Sequence, residues 1–303
     1  MNSSFSEQFS VSSESNSFGS FEDIIENSPL PDLSPKYQIE REIDFSLSNP
    51  NAPSIRYFIG RSQSLNCQVF IKNVKLSTDK MQEYQNEIFF LSKIQHKNVI
   101  HLIDHFIIGD DGYIIEEYAA GKDLYDVLCA CNWDLDEKYQ IQLIFQMLMI
   151  INCLQENKIS HNDIKCENIV FLVDDISELF SSKTNFMKSL RLIDFGSTKC
   201  WNSVQSDIRG TFKPPEYLSD RILSETYDIW SLGEMIYFMV TKTKLILWNG
   251  QCYTIKKGYF EEYQWEKFSP AFKSLVQEML TFDFTKRPFA QDLLIKYFSK
   301  KAK

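Results

Sequence analysis

From His161 to Asn168 the chain reads His-Asn-Asp-Ile-Lys-Cys-Glu-Asn, and 26 residues beyond Asn168 it reads Asp194-Phe195-Gly196. Each set follows a short apolar run with strand character, Lys158-Ile159-Ser160 before the first and Leu190-Arg191-Leu192-Ile193 before the second. Together they supply an Asp, a Lys, an Asn and a second Asp at a spacing that suits phosphoryl transfer. Asp163 is placed to take or orient the proton of an acceptor hydroxyl, and Lys165 to stand beside the transferring group. Asn168 and Asp194 are suited to hold a divalent cation. An Asp-Phe-Gly alone is a weak signal, because it arises by chance in long chains. The two sets at this distance are a strong one.

A length of 303 residues gives room for one large or two modest domains and for a sizeable core. Hydrophobic content of 44% and charged content of 24% are ordinary for a globular protein. A net charge of −9 and a pI near 5.1 argue against a nucleic-acid binder, since no basic stripe offsets the acidity. The seven Cys are odd in number and include no C-x-x-C pair, which fits reduced thiols in the cytosol or nucleus. The Ser-rich start is no secretory signal. The longest apolar stretch, Ile141 to Leu154, is about 14 residues and is broken by Gln142, Gln146 and Asn152. It is too short to span a bilayer and suits a buried helix, so no membrane is expected as a partner.

Residues 1–35 are dominated by Ser and read as a disordered tail. Three roles stay open for it: a solvated leader, a regulatory tail phosphorylated at Ser28-Pro29 and Ser34-Pro35, or a docking segment through Phe18 to Ile25. From Tyr37 apolar and polar residues alternate. Strands are expected at Tyr37–Ile43, Ile55–Gly60 and Cys67–Val74, then near His101–Ile108 and Tyr113–Tyr118. Met81–Ile94 has helical spacing. After Gly121 the pattern is helical, apart from short strands around the two polar sets.

These polar sets resemble the catalytic loop and metal-binding turn of the eukaryotic protein-kinase family. The likeness extends over residues 37–299 and implies an α+β, two-lobed protein-kinase fold with ATP and Mg²⁺ as cofactors. The implied domain is 36–299, with a sheet-rich small lobe at 36–118 and a helical large lobe at 119–299. Val69-Phe70-Ile71-Lys72 is similar to the family's Val-Ala-Ile-Lys strand, so Lys72 is expected at the ATP phosphates, paired with Glu87. Gln95 to Ile100 matches the connection that follows. The hinge falls at Glu117-Tyr118-Ala119, with the backbone of Glu117 and Ala119 facing adenine and Asp123 near the ribose or peptide. In that register Glu116 is the gatekeeper, a position usually apolar, where a carboxylate must find a partner or be hydrated.

The resemblance implies structural roles as well. His161, Phe195, Leu91 and Leu102 would stack as a spine, with Gly196 completing the turn and Asp228 bracing the catalytic loop. Glu216 would pair with Arg287. The Asp-x-Lys-x-x-Asn order is similar to Ser/Thr-specific members. Asn162 replaces the Arg that usually grips an activation-loop phosphate, which favours constitutive or partner-driven control. Gly210-Thr211-Phe212-Lys213-Pro214-Pro215-Glu216 resembles the end of the activation segment, although Thr211 and Glu216 stand two residues closer than usual. Cys166 and Cys200 read as packing or incidental thiols. The closest likeness is to calmodulin-dependent Ser/Thr kinases, although no calmodulin-binding tail follows Lys303.

Three departures strike the nucleotide pocket. Residues 44–55 hold no Gly where a glycine-rich loop should close over the phosphates. Phe70 stands where a small Ala usually roofs the adenine, with Val170 opposite as partial relief. Glu116 adds a carboxyl behind the pocket. Two readings follow: a Ser/Thr protein kinase acting on protein substrates, or a pseudokinase working as scaffold or allosteric partner. A small-molecule kinase of related fold is a third, disfavoured by the Glu216 and Arg287 frame.

Overall fold

The structure is a computed structural model that describes residues 30–43, 55–201, 208, 210–248, 253–255, 260–261 and 265–299. Most of the Ser-rich stretch, with both Ser28 and the Phe18–Ile25 segment, lies outside the described residues, as does the glycine-free loop at 44–54.

Five strands and one helix form the small lobe: β1 (Tyr37–Ile43), β2 (Ile55–Ser62), β3 (Cys67–Lys75), α1 (Thr78–Lys93), β4 (Leu102–Ile108) and β5 (Asp111–Glu117). The sheet is antiparallel, in the order β1-β2-β3-β5-β4. Its two faces follow from the two-residue side-chain period of a strand. Phe58, Val69, Ile71, Tyr113 and Ile115 fill the outer face and pack with Leu33 and Tyr37. Leu33 lies in the stretch assigned to the tail, so the packed lobe begins a few residues before 36. Pairing of Tyr57 with Lys72, and of Phe70 with both Ile59 and Glu116, puts Tyr57, Phe70, Lys72 and Glu116 together on the other face. Helix α1 starts a turn earlier than the apolar spacing indicated, because Ser77 caps it by accepting from the Lys80 N–H at 3.5 Å.

The large lobe continues with α2 (Leu124–Ala130), α3 (Glu137–Glu156), β6 (Ile159–Ser160), β7 (Ile169–Phe171), α4 (Ile176–Leu179), α5 (Lys183–Ser189), β8 (Leu190–Leu192) and β9 (Lys199–Cys200). It ends with α6 (Pro215–Asp220), α7 (Tyr227–Thr241), β10 (Ile246–Trp248), β11 (Tyr253–Ile255), α8 (Pro270–Met279) and α9 (Ala290–Phe298). The expected apolar helix is the middle of α3. With α7 it forms the floor of the main core, which includes Leu143, Met147, Ile151, Trp230 and Met235. The hairpin of β10 and β11 departs from the all-helical expectation, and its Ile, Trp, Tyr and Thr residues suit a pleated ribbon better than a helix. No described helix is long and apolar enough to cross a membrane.

The lobes meet where β5 runs out. The Arg191 guanidinium on β8 grips the Glu117 carboxylate with Nε at 2.9 Å and Nη2 at 3.2 Å. Two parallel bonds of this kind fix orientation as well as distance. A second tie is buried deep in the large lobe. Arg287 meets Glu216 at 2.8 and 3.0 Å, with 0% and 3% of the two side chains exposed.

Candidate active site

The polar groups named from the sequence converge at the junction of the lobes. Lys72 on β3 donates to both carboxylate oxygens of Glu87 on α1, at 3.0 and 2.8 Å. Its Nζ also lies 3.9 Å from Asp194. Burial alone would push the Lys72 ammonium down, but the Glu87 and Asp194 carboxylates outweigh it and hold it above the ordinary lysine range. Lys72 is therefore a fixed cation facing the cleft.

The catalytic loop is built from a strained backbone with matched residues. Asn162 sits at φ 69° and Asp194 at φ 64°, in the left-handed region that Asn and Asp tolerate better than most side chains. The Asn162 amide donates to the carbonyls of Ser160 and Ser197, each at 3.0 Å, so it ties the loop to the turn after Asp194. An Arg there would lack this compact geometry. Asp228 on α7 accepts the N–H groups of His161 at 2.7 Å and Asn162 at 2.9 Å, which is the bracing role expected of it.

Asp163 is 6% exposed and held by three donors. Lys165 Nζ stands 2.8 Å from its Oδ2, and Asn168 Nδ2 donates to that oxygen at 2.9 Å. The Thr211 N–H reaches its Oδ1 at 3.3 Å. The short activation-segment end therefore still meets the loop, through the backbone of Thr211. Gly210 makes that approach possible, because a Cβ there would collide with the Asn162 carbonyl oxygen. Burial opposes the charge on Lys165, yet the adjacent Asp163 carboxylate carries its pKa above the ordinary value.

Asn168 spends its amide nitrogen on Asp163, which leaves its side-chain oxygen as the donor for a cation. Asp194 is 44% exposed at the side chain. Burial would raise its pKa, but Lys72, His161 and Lys165 together bring it below the usual carboxylate range. One amide oxygen and one carboxylate are a hard, two-residue donor set. Among the described residues no cluster of three or more ligating side chains exists. The pair fits Mg²⁺, which characteristically takes one or two protein oxygens and completes its shell with phosphates and water.

Phe195 is fully buried and stands edge-on to His161 with ring centroids 4.7 Å apart. Leu91 is buried and Leu102 packs partly buried against the same core. The Gly196 N–H donates to Asp194 Oδ1 at 3.4 Å. One contact that sequence reasoning missed holds this turn against α1: Asn86 donates to the carbonyls of Gly196 at 3.2 Å and Thr198 at 2.9 Å. Its only signal was its position beside Glu87.

The nucleotide side is less regular. Asp123 caps α2 by accepting from the Asp126 N–H at 2.8 Å, so one of its oxygens is committed. Burial raises its pKa to about 6. The Glu117 N–H donates to the His101 carbonyl at 2.8 Å, and its side chain is held by Arg191. Ala119, the other hinge position, lies two residues past the end of β5 and is half-buried. Phe70 is half-buried and does not roof the cleft alone. Tyr57, which sequence reasoning passed over, places its ring 5.8 Å from that of Phe70. Glu116 is 5% exposed, and its Oε1 has no hydrogen-bond partner among the described residues. Burial, with Glu87 nearby, pushes its pKa up to about 8, so at neutral pH it is chiefly the neutral acid. The buried Cys166 thiol is pushed up by burial and is unreactive on that account.

Comparison with known proteins gives a consistent result. Residues 57–299 match the family described as the protein kinase domain. The chain is 28% identical over 223 residues to the calcium/calmodulin-dependent protein kinase cmkA of Emericella nidulans, covering 69% of this chain and 50% of that protein. It is 25% identical over 238 residues to calcium-dependent protein kinase 3 of Plasmodium yoelii yoelii, covering 76% of this chain and 42% of the relative. The chain thus spans half or less of the length of these relatives. In fold it is similar to the autoinhibited serine kinase domain of the giant muscle protein titin, with a TM-score of 0.70 at 20% identity over 87% of this chain and 80% of that one. With a family match across most of its length and the family's polar groups assembled in one cleft, the chain belongs to the protein kinase family.

Proposed function

We propose that this chain transfers the γ-phosphoryl group of ATP to Ser or Thr hydroxyls of protein substrates. The observation that carries the reading is the simultaneous assembly of both halves of the site. Lys72 is paired with Glu87 at 2.8 Å while Phe195 lies packed against His161 and Asp163 is held by three donors. In the proposed reaction the substrate hydroxyl oxygen forms a bond to the γ-phosphorus as the bond to the bridging oxygen breaks, and ADP leaves. Asp163 accepts and aims the hydroxyl proton, Lys165 offsets charge on the moving group, and Lys72 holds the remaining phosphates. Mg²⁺, when bound by Asn168 and Asp194, would supply further charge neutralisation. The Lys at position 165 supports Ser/Thr rather than Tyr acceptors. Asn162 in place of Arg supports control by a protein partner over control by loop phosphorylation. The free thiols among the described residues support a reducing compartment, the cytosol or nucleus.

A second reading, a scaffold that does not turn ATP over, is favoured by one observation: the paired rings of Tyr57 and Phe70 on the cleft face of the sheet. The two are separated by incubating the full chain with MgATP and a peptide library of Ser, Thr and Tyr acceptors. The expected result is phosphate on Ser or Thr that falls about 10²- to 10⁴-fold in Asp163→Asn. Phosphate on Tyr alone contradicts the specificity, and equal incorporation by Asp163→Asn contradicts the mechanism.

A further inference from the structure

One residue before the end of β5 stands Glu116, a carboxyl group that the phosphoryl-transfer chemistry leaves unused. It lies directly opposite Phe70 on β3 and Leu102 on β4, and cross-strand partners share a face of the sheet. Leu102 packs against the main core, so this face looks into the molecule at the junction of the lobes. Glu116 is 5% exposed, and its Oε1 has no hydrogen-bond partner among the described residues. Lys72, the cation whose charge reaches it, is already committed. Its ammonium donates to both oxygens of Glu87, at 3.0 and 2.8 Å, and lies 3.9 Å from Asp194. A third carboxylate finds no counter-charge there, and burial keeps Glu116 as the neutral acid. Polar groups sealed in an interior are almost always paired, and the exceptions gather at functional sites.

The position of Glu116 says what completes it. Glu117 follows it and Ala119 stands three positions on, the hinge that the resemblance sets against adenine. Its cross-strand neighbour Phe70 is the residue at the roof of the adenine slot, and Lys72, two residues along β3, faces the phosphate end with Asp194. An apolar side chain beside the hinge only shapes such a slot, whereas a carboxyl adds a wall that forms hydrogen bonds. A neutral carboxyl presents one O–H donor next to one carbonyl acceptor. Adenine carries the complementary pair, the N6 amino donor and the N7 acceptor, on the edge that Asn and Gln read bidentately in nucleic acids. The amino group has two hydrogens, so one serves the hinge and the other this edge. Guanine shows two acceptors there, O6 and N7, and a single carboxyl donor cannot satisfy both.

We propose that the Glu116 carboxyl is the base-reading group of this cleft, accepting from the adenine N6 amino group and donating to N7, and thereby selects an adenine nucleotide. The inference rests on the reading that the cleft binds ATP, and it adds how the base is chosen.

The test is isothermal titration of the full chain with MgATP and with the Mg²⁺ complex of 7-deaza-ATP, in which a C–H replaces N7 while the N6 amino group and N1 stay. The expected result is that the deaza nucleotide binds about tenfold more weakly. Two substitutions separate base reading from a structural role. Glu116→Gln keeps a donor and an acceptor and should keep the preference, whereas Glu116→Leu should bind the two nucleotides alike. A residue that only supports the fold would shift both affinities together. Equal binding of the two nucleotides by the unaltered chain would overturn the proposal and leave phosphoryl transfer from ATP standing. A preference that survives in Glu116→Leu would overturn it as well. No binding of either nucleotide at millimolar concentration would overturn both this inference and the ATP reading beneath it.

Discussion

Three donors converge on the Asp163 carboxylate, whereas the Glu116 carboxyl receives none at Oε1 among the described residues. That contrast sets the residue-scale predictions. Replacing Asp163 by Asn removes the hydroxyl acceptor but keeps an oxygen for the Thr211 N–H. Transfer should fall by about 10²- to 10⁴-fold with little change in the unfolding temperature, as followed by kinetics and calorimetry. For Glu116 the sign follows from linkage. Its folded pKa of about 8 lies above the unfolded value of 4.5, so the folded state binds more protons between those limits. Stability is then lost as pH rises from about 4.5 through 8. Glu116→Gln should unfold at nearly the same temperature as the parent at pH 5 and a few degrees higher at pH 8 to 9. A margin that does not grow with pH would mean that Glu116 is ionised throughout.

Strands β2 and β3 show what a sequence discloses at the scale of elements and what it withholds. The Lys72 and Glu87 pairing was legible, because a strand motif and a helix motif were each recognisable. So were the catalytic loop, the Asp194 turn and the Glu216 to Arg287 bridge. Tyr57 was not, because its place beside Phe70 depends on the register of β2 on β3, which turn geometry fixes. Arg191 and Asn86 escaped for a similar reason, since their partners are a side chain and carbonyls distant in sequence. Glu116 was flagged, yet its protonation state depends on burial among neighbours from two other elements. The roof gives the element-scale prediction. Phe70→Ala opens the ceiling and should tighten ATP binding several-fold by titration calorimetry. Unchanged affinity would show that the ring does not obstruct. In the large lobe Arg287→Leu leaves the Glu216 carboxylate buried without its cation and should cost about 3–5 kcal/mol in a denaturation experiment.

At the scale of the whole molecule, a small sheet lobe and a large helical lobe share a cleft whose floor gathers Asp163, Lys165, Asn168 and Asp194 and whose roof carries Tyr57 and Phe70. The floor is anchored to the core through Asp228 on the buried helix α7, and the roof reaches it through the Lys72, Glu87 and Asp194 cluster. Those three residues carry opposite charges across the lobe boundary, so a nucleotide that bridges them with its metal should stabilise both lobes together. A ligand that binds only the folded state at 100 times its dissociation constant adds about 2.7 kcal/mol, which is several degrees for a chain of this size. The direct test is thermal unfolding of the full chain with millimolar ATP, with and without Mg²⁺. The account predicts an upward shift that needs both ATP and Mg²⁺ and is lost in Asp194→Asn. A well-folded protein whose unfolding temperature is unmoved by MgATP would contradict it.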